Sequence, residues 1–165
     1  MAAEVRSFGF MENDLQGSGN MIDENELVKH ALEARKHAYV PYSHWAVGAA
    51  LLTKEGTVYE GCNIENAAHT PTNCAERTAF FKAVSEGERD FAAIAVVGAY
   101  ETEEPEKICA PCGVCRQVMM EFCDPDTFRV ILGTKDGVQV SQTLKEMLPY
   151  GFGPDVLNAK KLNQK

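Results

Sequence analysis

Three cysteines and one glutamate stand at spacings that suit a metal centre. Cys112 and Cys115 are three apart, with Pro111 just before them. On a helix that spacing puts both thiols on one face, where they can hold a single ion. Cys74-Ala75-Glu76 falls at the start of a second predicted helix. Helix N-termini carry free N–H groups and about half a positive charge, which favour the thiolate, the metal-binding form. A lone Cys-x-x-Cys suits a redox pair or half of a structural zinc knuckle equally well. Adding Cys74 gives three thiolates, and three protein ligands leave a fourth position for water, as catalytic zinc sites do. Glu76 is then placed to act as general acid and base toward that water. Taken alone it reads as a first-turn carboxylate favoured by the helix dipole.

The elements that must position these residues are legible in the hydrophobic pattern. Asp23 with Glu26 makes an aspartate version of a capping box, and Leu27, Ala31, Ala34 and Ala38 follow at helical spacing. They predict a first helix over about Glu24 to Tyr39, stopped by Pro41. Ala46 to Thr53 and Thr57 to Asn63 read as strands joined at Lys54-Glu55-Gly56, a hairpin. A helix from about Cys74, capped by Thr72 or Asn73, ends before Gly87. Phe91 to Ala99 is a continuous apolar run suited to a buried strand. Glu101 to Glu106 is a loop, and a third helix runs from about Cys112 to Phe122. Arg129 to Thr134 and Val138 to Thr143 flank Asp136-Gly137, which serves a hairpin or an ordinary turn. Leu144 to Leu148 is a short helix. The expected fold is α/β: a five-stranded mixed sheet between helices, a three-layer α/β/α sandwich.

Composition bounds the rest. The chain has 165 residues, 45% apolar and 24% charged, with a formal charge of −8. That suits one soluble domain, over 23–157. Residues 1–22 read as a mobile extension or a cloning remnant, and 158–165 as a polar tail. The acidic balance lacks the cationic footprint of a nucleic-acid polymer or anionic-membrane binder. The apolar run Trp45 to Leu52 is far short of the ~20 residues a membrane helix needs. With no apolar h-region in Met1 to Asn20, a cytoplasmic, reducing location is expected. Six cysteines are too few for a disulfide scaffold. Cys62, Cys109 and Cys123 are expected to pack as small hydrophobes. Cys109 is near enough to Cys112 to ligate, but the Cys112/Cys115 spacing and Pro111 favour that pair.

Cys74-Ala75-Glu76-Arg77-Thr78-Ala79 and Pro111-Cys112-Gly113-Val114-Cys115-Arg116-Gln117 resemble the two zinc signatures of the cytidine deaminase family. The resemblance extends through Pro41-Tyr42-Ser43, Val47-Gly48-Ala49-Ala50, Gly61-Cys62-Asn63-Ile64-Glu65-Asn66-Ala67, Leu148-Pro149 and Phe152-Gly153-Pro154. It covers about Glu24 to Leu157 and is to the small, three-cysteine, homotetrameric branch. It implies one Zn²⁺ per chain on Cys74, Cys112 and Cys115, with water at the fourth position. It also implies Glu76 as the proton carrier in hydrolysis of cytidine and 2′-deoxycytidine to the uridine nucleosides and ammonia.

By the same resemblance Arg77 donates toward cysteine sulfur and offsets the thiolate charge. Asn63 and Glu65 grip the ribose hydroxyls, the Ala75 backbone meets the pyrimidine, and Phe152 enters the active site of a neighbouring subunit. Two positions depart from the family pattern. Trp45 stands where phenylalanine is usual, a bulkier surface for stacking on a pyrimidine. His69 replaces an aromatic such as tyrosine and reads as a partly buried packing histidine. The alternatives are a related small zinc deaminase, such as one acting on blasticidin S, and a structural zinc-binding interaction module. The module would need a fourth protein ligand and has no use for Glu76.

Overall fold

Asp23 opens the first element by accepting the Asn25 N–H on its carboxylate at 3.4 Å. The expected reciprocal half of the capping box is absent, because Glu26 is drawn into an ion pair with Lys29 at 2.7 Å. Helix α1 covers Glu24–Arg35, four residues short of the predicted end. Lys36, His37 and Ala38 instead donate to carbonyls three residues back, the tightening common at helix C-termini. Tyr39 is then taken by a bridge to Ile64, a contact distant in sequence. The computed structural model describes residues 23–157. The N-terminal extension and the C-terminal tail expected from the sequence lie outside them.

The remaining elements are β1 (Trp45–Thr53), β2 (Val58–Cys62), α2 (Ala75–Ser85), β3 (Phe91–Tyr100), α3 (Gly113–Phe122), β4 (Arg129–Thr134), β5 (Gly137–Thr143) and α4 (Leu144–Met147), followed by a 3-10 turn at Pro154–Leu157. The sheet order is β2-β1-β3-β4-β5. All neighbours are antiparallel except β3 and β4, which are parallel, so the sheet is mixed as expected. Asp136-Gly137 does make a hairpin: β4 and β5 are antiparallel, and Gly137 takes φ +105° at the turn, a backbone state glycine adopts freely.

Both faces of the sheet are covered, and residue alternation sorts the two cores. Ala50, Leu52, Ala93, Ala95, Val97 and Ile131 meet Leu27, Val28 and Ala31 of α1. Ala49, Leu51, Ile94, Val96, Val130 and Leu132 face the other way, against Ala79 and Phe80 of α2, Met119 of α3 and Leu144 of α4. This is why the central strands read as unbroken apolar runs. Two glycines set how closely the helices approach. A Cβ on Gly48 would lie 2.0 Å from the Ala31 carbonyl oxygen, and one on Gly61 would lie 2.5 Å from the Ala75 carbonyl oxygen. The second contact lays the N-terminal turn of α2, with Cys74 and Glu76, directly on β2. No helix among the described residues is long and apolar enough to cross a membrane.

Candidate active site

Cys74 and Cys112 are themselves the N-cap residues of α2 and α3, each extended and neither making a side-chain cap. The expected caps, Thr72 and Asn73, are used elsewhere. The Thr72 hydroxyl accepts the Asn66 N–H at 3.1 Å while its carbonyl accepts from Arg77 at 3.0 Å, and the Asn73 amide donates to the Thr78 hydroxyl at 3.1 Å. Two helix N-termini thus converge on sulfur, and their positive ends favour anionic ligands. Cys115, in the first turn of α3, is 1% exposed and completes the group.

The Sγ atoms of Cys74 and Cys112 are 4.0 Å apart and those of Cys112 and Cys115 are 3.5 Å apart. All three lie within 4.8 Å of one another. Zn–S bonds of about 2.3 Å at tetrahedral angles place sulfurs about 3.8 Å apart, so the cluster fits a single zinc ion. The thiols share charge unequally. A hydrogen bond from Cys115, with Arg77 and Cys112 adding to it against the opposing effect of burial, lowers Cys74 to about 5. The same bond, with burial, holds the proton on Cys115. Arg77 Nη2 donates to Cys74 Sγ at 3.7 Å. Its Nε is buried with no partner among the described residues, donor capacity suited to a cluster of thiolates.

Glu76 is 4% exposed. Burial above all, and then the Cys74 charge, raises its proton affinity, while the Cys115 thiol hydrogen-bonds to it. A buried carboxyl that takes up a proton readily beside a metal-ligating group is the arrangement a proton carrier requires.

The Asn63–Glu65 segment reaches the site through paired bonds between Ile64 and Asn73, the residue before Cys74. Here the side chains also clamp backbone. Asn63 accepts from Val47 N–H and donates to Trp45 O, both at 2.8 Å, which fixes the start of β1. Glu65 Oε2 accepts the N–H groups of Tyr42 and Ser43 at 3.0 and 3.2 Å. The Ser43 side chain, and then these backbone donors, keep its proton affinity low. Trp45 is 39% exposed and meets the Tyr100 ring edge-on at 5.0 Å. Ala75 is fully buried beneath the site, in contact with Gly61. Phe152 is 53% exposed, its carbonyl held by Gln117 of α3 at 2.9 Å.

Two expectations change. His69 is exposed rather than partly buried, with φ +57° and its ring 6.2 Å from Tyr42. It belongs to a run of turns between Ile64 and Asn73 that has no core to enter. Of the three spare cysteines only Cys123 joins the core. Cys62 is half-buried and donates to His37 O at 3.3 Å, while Cys109 borders the site, bonded to Trp45 and close to Gly98. The tethers made by Arg116 and Gln117 were not anticipated, although both residues stand inside the second cysteine motif.

Residues 21–132, more than half of the chain, match the family model described as the cytidine and deoxycytidylate deaminase zinc-binding region. A cytidine deaminase of Halalkalibacterium halodurans is 53% identical over 83% of this chain and 99% of its own length. A blasticidin-S deaminase of Bacillus cereus is 35% identical, over 90% of this chain and 98% of its own. Among solved structures, the cytidine deaminase of Burkholderia pseudomallei superposes with a TM-score of 0.71 at 46% identity, covering 79% of this chain and all of that one. Converging helix N-termini, three zinc-spaced thiols and these matches place the chain in the cytidine deaminase family.

Proposed function

We propose that this protein hydrolyses cytidine and 2′-deoxycytidine to uridine and 2′-deoxyuridine with release of ammonia, a step of pyrimidine salvage. The observation that carries the reading is Glu76: a buried carboxyl with raised proton affinity touching a three-thiol group. A purely structural zinc site has no use for it. Cys74, Cys112 and Cys115 would hold one Zn²⁺, which would supply the Lewis acidity that brings a water's pKa toward ~7. Glu76 accepts a proton from water, passes it to ring N3, and later serves the departing amine. Water's oxygen ends on C4 and ammonia leaves, so no redox partner is needed.

Glu65 uses one oxygen for two backbone donors, so its carboxylate keeps acceptor capacity for a ribose hydroxyl. Asn63 retains a second amide hydrogen after its bond to Trp45 O. Trp45 offers a face for the pyrimidine, and the Ala75 backbone contacts its polar edge. Phe152, exposed in its own chain, completes the pocket of a neighbouring subunit in a homotetramer. All six cysteines are free, which fits a reducing, cytoplasmic setting.

Ultraviolet spectra separate the candidate substrates. Cytidine and deoxycytidine are expected to convert to uridine spectra, with oligodeoxycytidine unchanged and blasticidin S turned over far more slowly. Inactivity on both nucleosides, with zinc bound, would sink the assignment. Arg77→Ala removes the positive charge beside Cys74 and is expected to weaken zinc retention about 10–100-fold, the scale for residues that support metal ligands. With the thiolate charge uncompensated, water is harder to ionise and the pH optimum moves up. Unchanged zinc content after chelator dialysis together with an unchanged pH profile would remove Arg77 from this role.

A further inference from the structure

Two adjacent side chains on α3 tie the helix that carries Cys115 to the segment that carries Phe152. Arg116 Nε donates to Pro111 O at 2.8 Å, and its Nη1 donates to Met147 O at 2.7 Å. Gln117 Nε2 donates to Phe152 O at 2.9 Å. Gly151, between these anchors, and Gly153, just after them, seat against Met120, where added Cβ atoms would lie 3.1 and 3.3 Å from its Sδ and Cε. Tyr150 holds φ +58° with its side chain in solvent. An exposed tyrosine gains no packing from that left-handed state, so the bonds and contacts on either side must impose it. Backbone fixed at 152 and ring 53% exposed is the geometry of a side chain held out for something else.

We propose that Gln117 is a positioning residue for Phe152, with Arg116 bracing the same segment at Met147. From the metal-bearing helix, Gln117 fixes the 152 backbone so that the aromatic ring reaches the neighbouring subunit's nucleoside pocket in one orientation. This rests on the reading that Phe152 completes an adjacent site. Arg116 also holds the carbonyl of Pro111, beside Cys112. One pair of residues therefore links a chain's own metal ligands to the pocket wall it lends.

Steady-state kinetics on cytidine test the proposal with Gln117→Leu, Gln117→Glu, Phe152→Ala and the Gln117→Leu/Phe152→Ala double variant. Zinc per chain and native mass are measured alongside. Gln117 is exposed, so these changes leave the core intact. Each Gln117 variant lacks the donor and is expected to raise KM about two- to tenfold, the scale of one misaligned aromatic contact. Expected kcat stays within about twofold, and zinc and native mass are unchanged. In the double variant the Gln117 change adds nothing to the Phe152→Ala effect, because both act through one ring. A raised KM in Phe152→Ala with unchanged KM in both Gln117 variants overturns the positioning role and leaves the shared site standing. Additive effects in the double variant, or a KM change that follows loss of the assembly, overturn it as well. An unchanged KM in Phe152→Ala removes the shared-site reading, and the positioning role with it.

Discussion

Replacing Glu76 with glutamine is expected to lower kcat by about 10²–10⁴-fold, the range general acid–base catalysis contributes, while zinc stays bound. The substitution keeps the shape of a side chain that is 4% exposed, so a loss of rate reports lost proton transfer rather than a collapsed pocket. Glutamine has no proton to give and takes none up, and the reaction needs both at ring N3 and at the amine. The thiols that hold the metal are untouched, so zinc per chain is expected to match the wild type. KM is expected to move little, because the proposed ribose and stacking contacts lie on other residues. Glu76→Ala should lose at least as much rate and leave a small void. Turnover within tenfold of wild type in both variants would show that another group carries the proton.

The chemistry of the site was easier to read than its scaffolding, for physical reasons. Cys74, Cys112 and Cys115 are local signals at helix N-termini, and the two helices follow from apolar spacing that survives without tertiary context. The central strands announce themselves because both sheet faces bury alternating residues such as Ala49 and Ala50, or Ile94 and Ala95. What escaped was long-range or polar. The end of α1 is decided by Tyr39 pairing with Ile64, which no local pattern encodes. The capping aspartate lost its partner to Lys29. Asn63 and Glu65 spend part of their hydrogen-bonding capacity clamping backbone at Val47, Trp45, Tyr42 and Ser43. Arg35, in the last turn of α1, reaches the carbonyls of Ala46 and Tyr100 at 3.1 and 2.6 Å. It thereby fixes the end of the β1–β3 pair next to Trp45. Side-chain-to-backbone bonds of this kind depend on which chain ends the fold brings together.

Cys115→Ser is expected to remove zinc and activity together, which separates metal loss from the proton-transfer loss at Glu76. A serine hydroxyl does not ionise as a thiol does at neutral pH, so the cluster falls to two thiolates and loses the ligand buried deepest in α3. The chain should still fold. Phe80, Phe128, Ile94, Leu51 and Ile131 are essentially fully buried and none is a metal ligand, each contributing about 1.5–3 kcal/mol. The thermal midpoint is nonetheless expected to drop, because an ion that binds only the native state stabilises it. At about 2–5 °C per kcal/mol for a domain of this size, the drop is large enough to measure. Chelation of the wild type should reproduce both losses, and added zinc should restore the wild type but not the variant. Proton linkage gives a further sign check. Hydrogen bonding to Cys74 and burial favour the protonated form of Cys115, and binding must displace that proton, so zinc affinity should fall as pH falls. Cys109→Ser is the matched control: Cys109 borders the site but stands outside the three-thiol group, so zinc per chain should be unchanged. Full zinc in Cys115→Ser, or its loss in Cys109→Ser, would require a different ligand set.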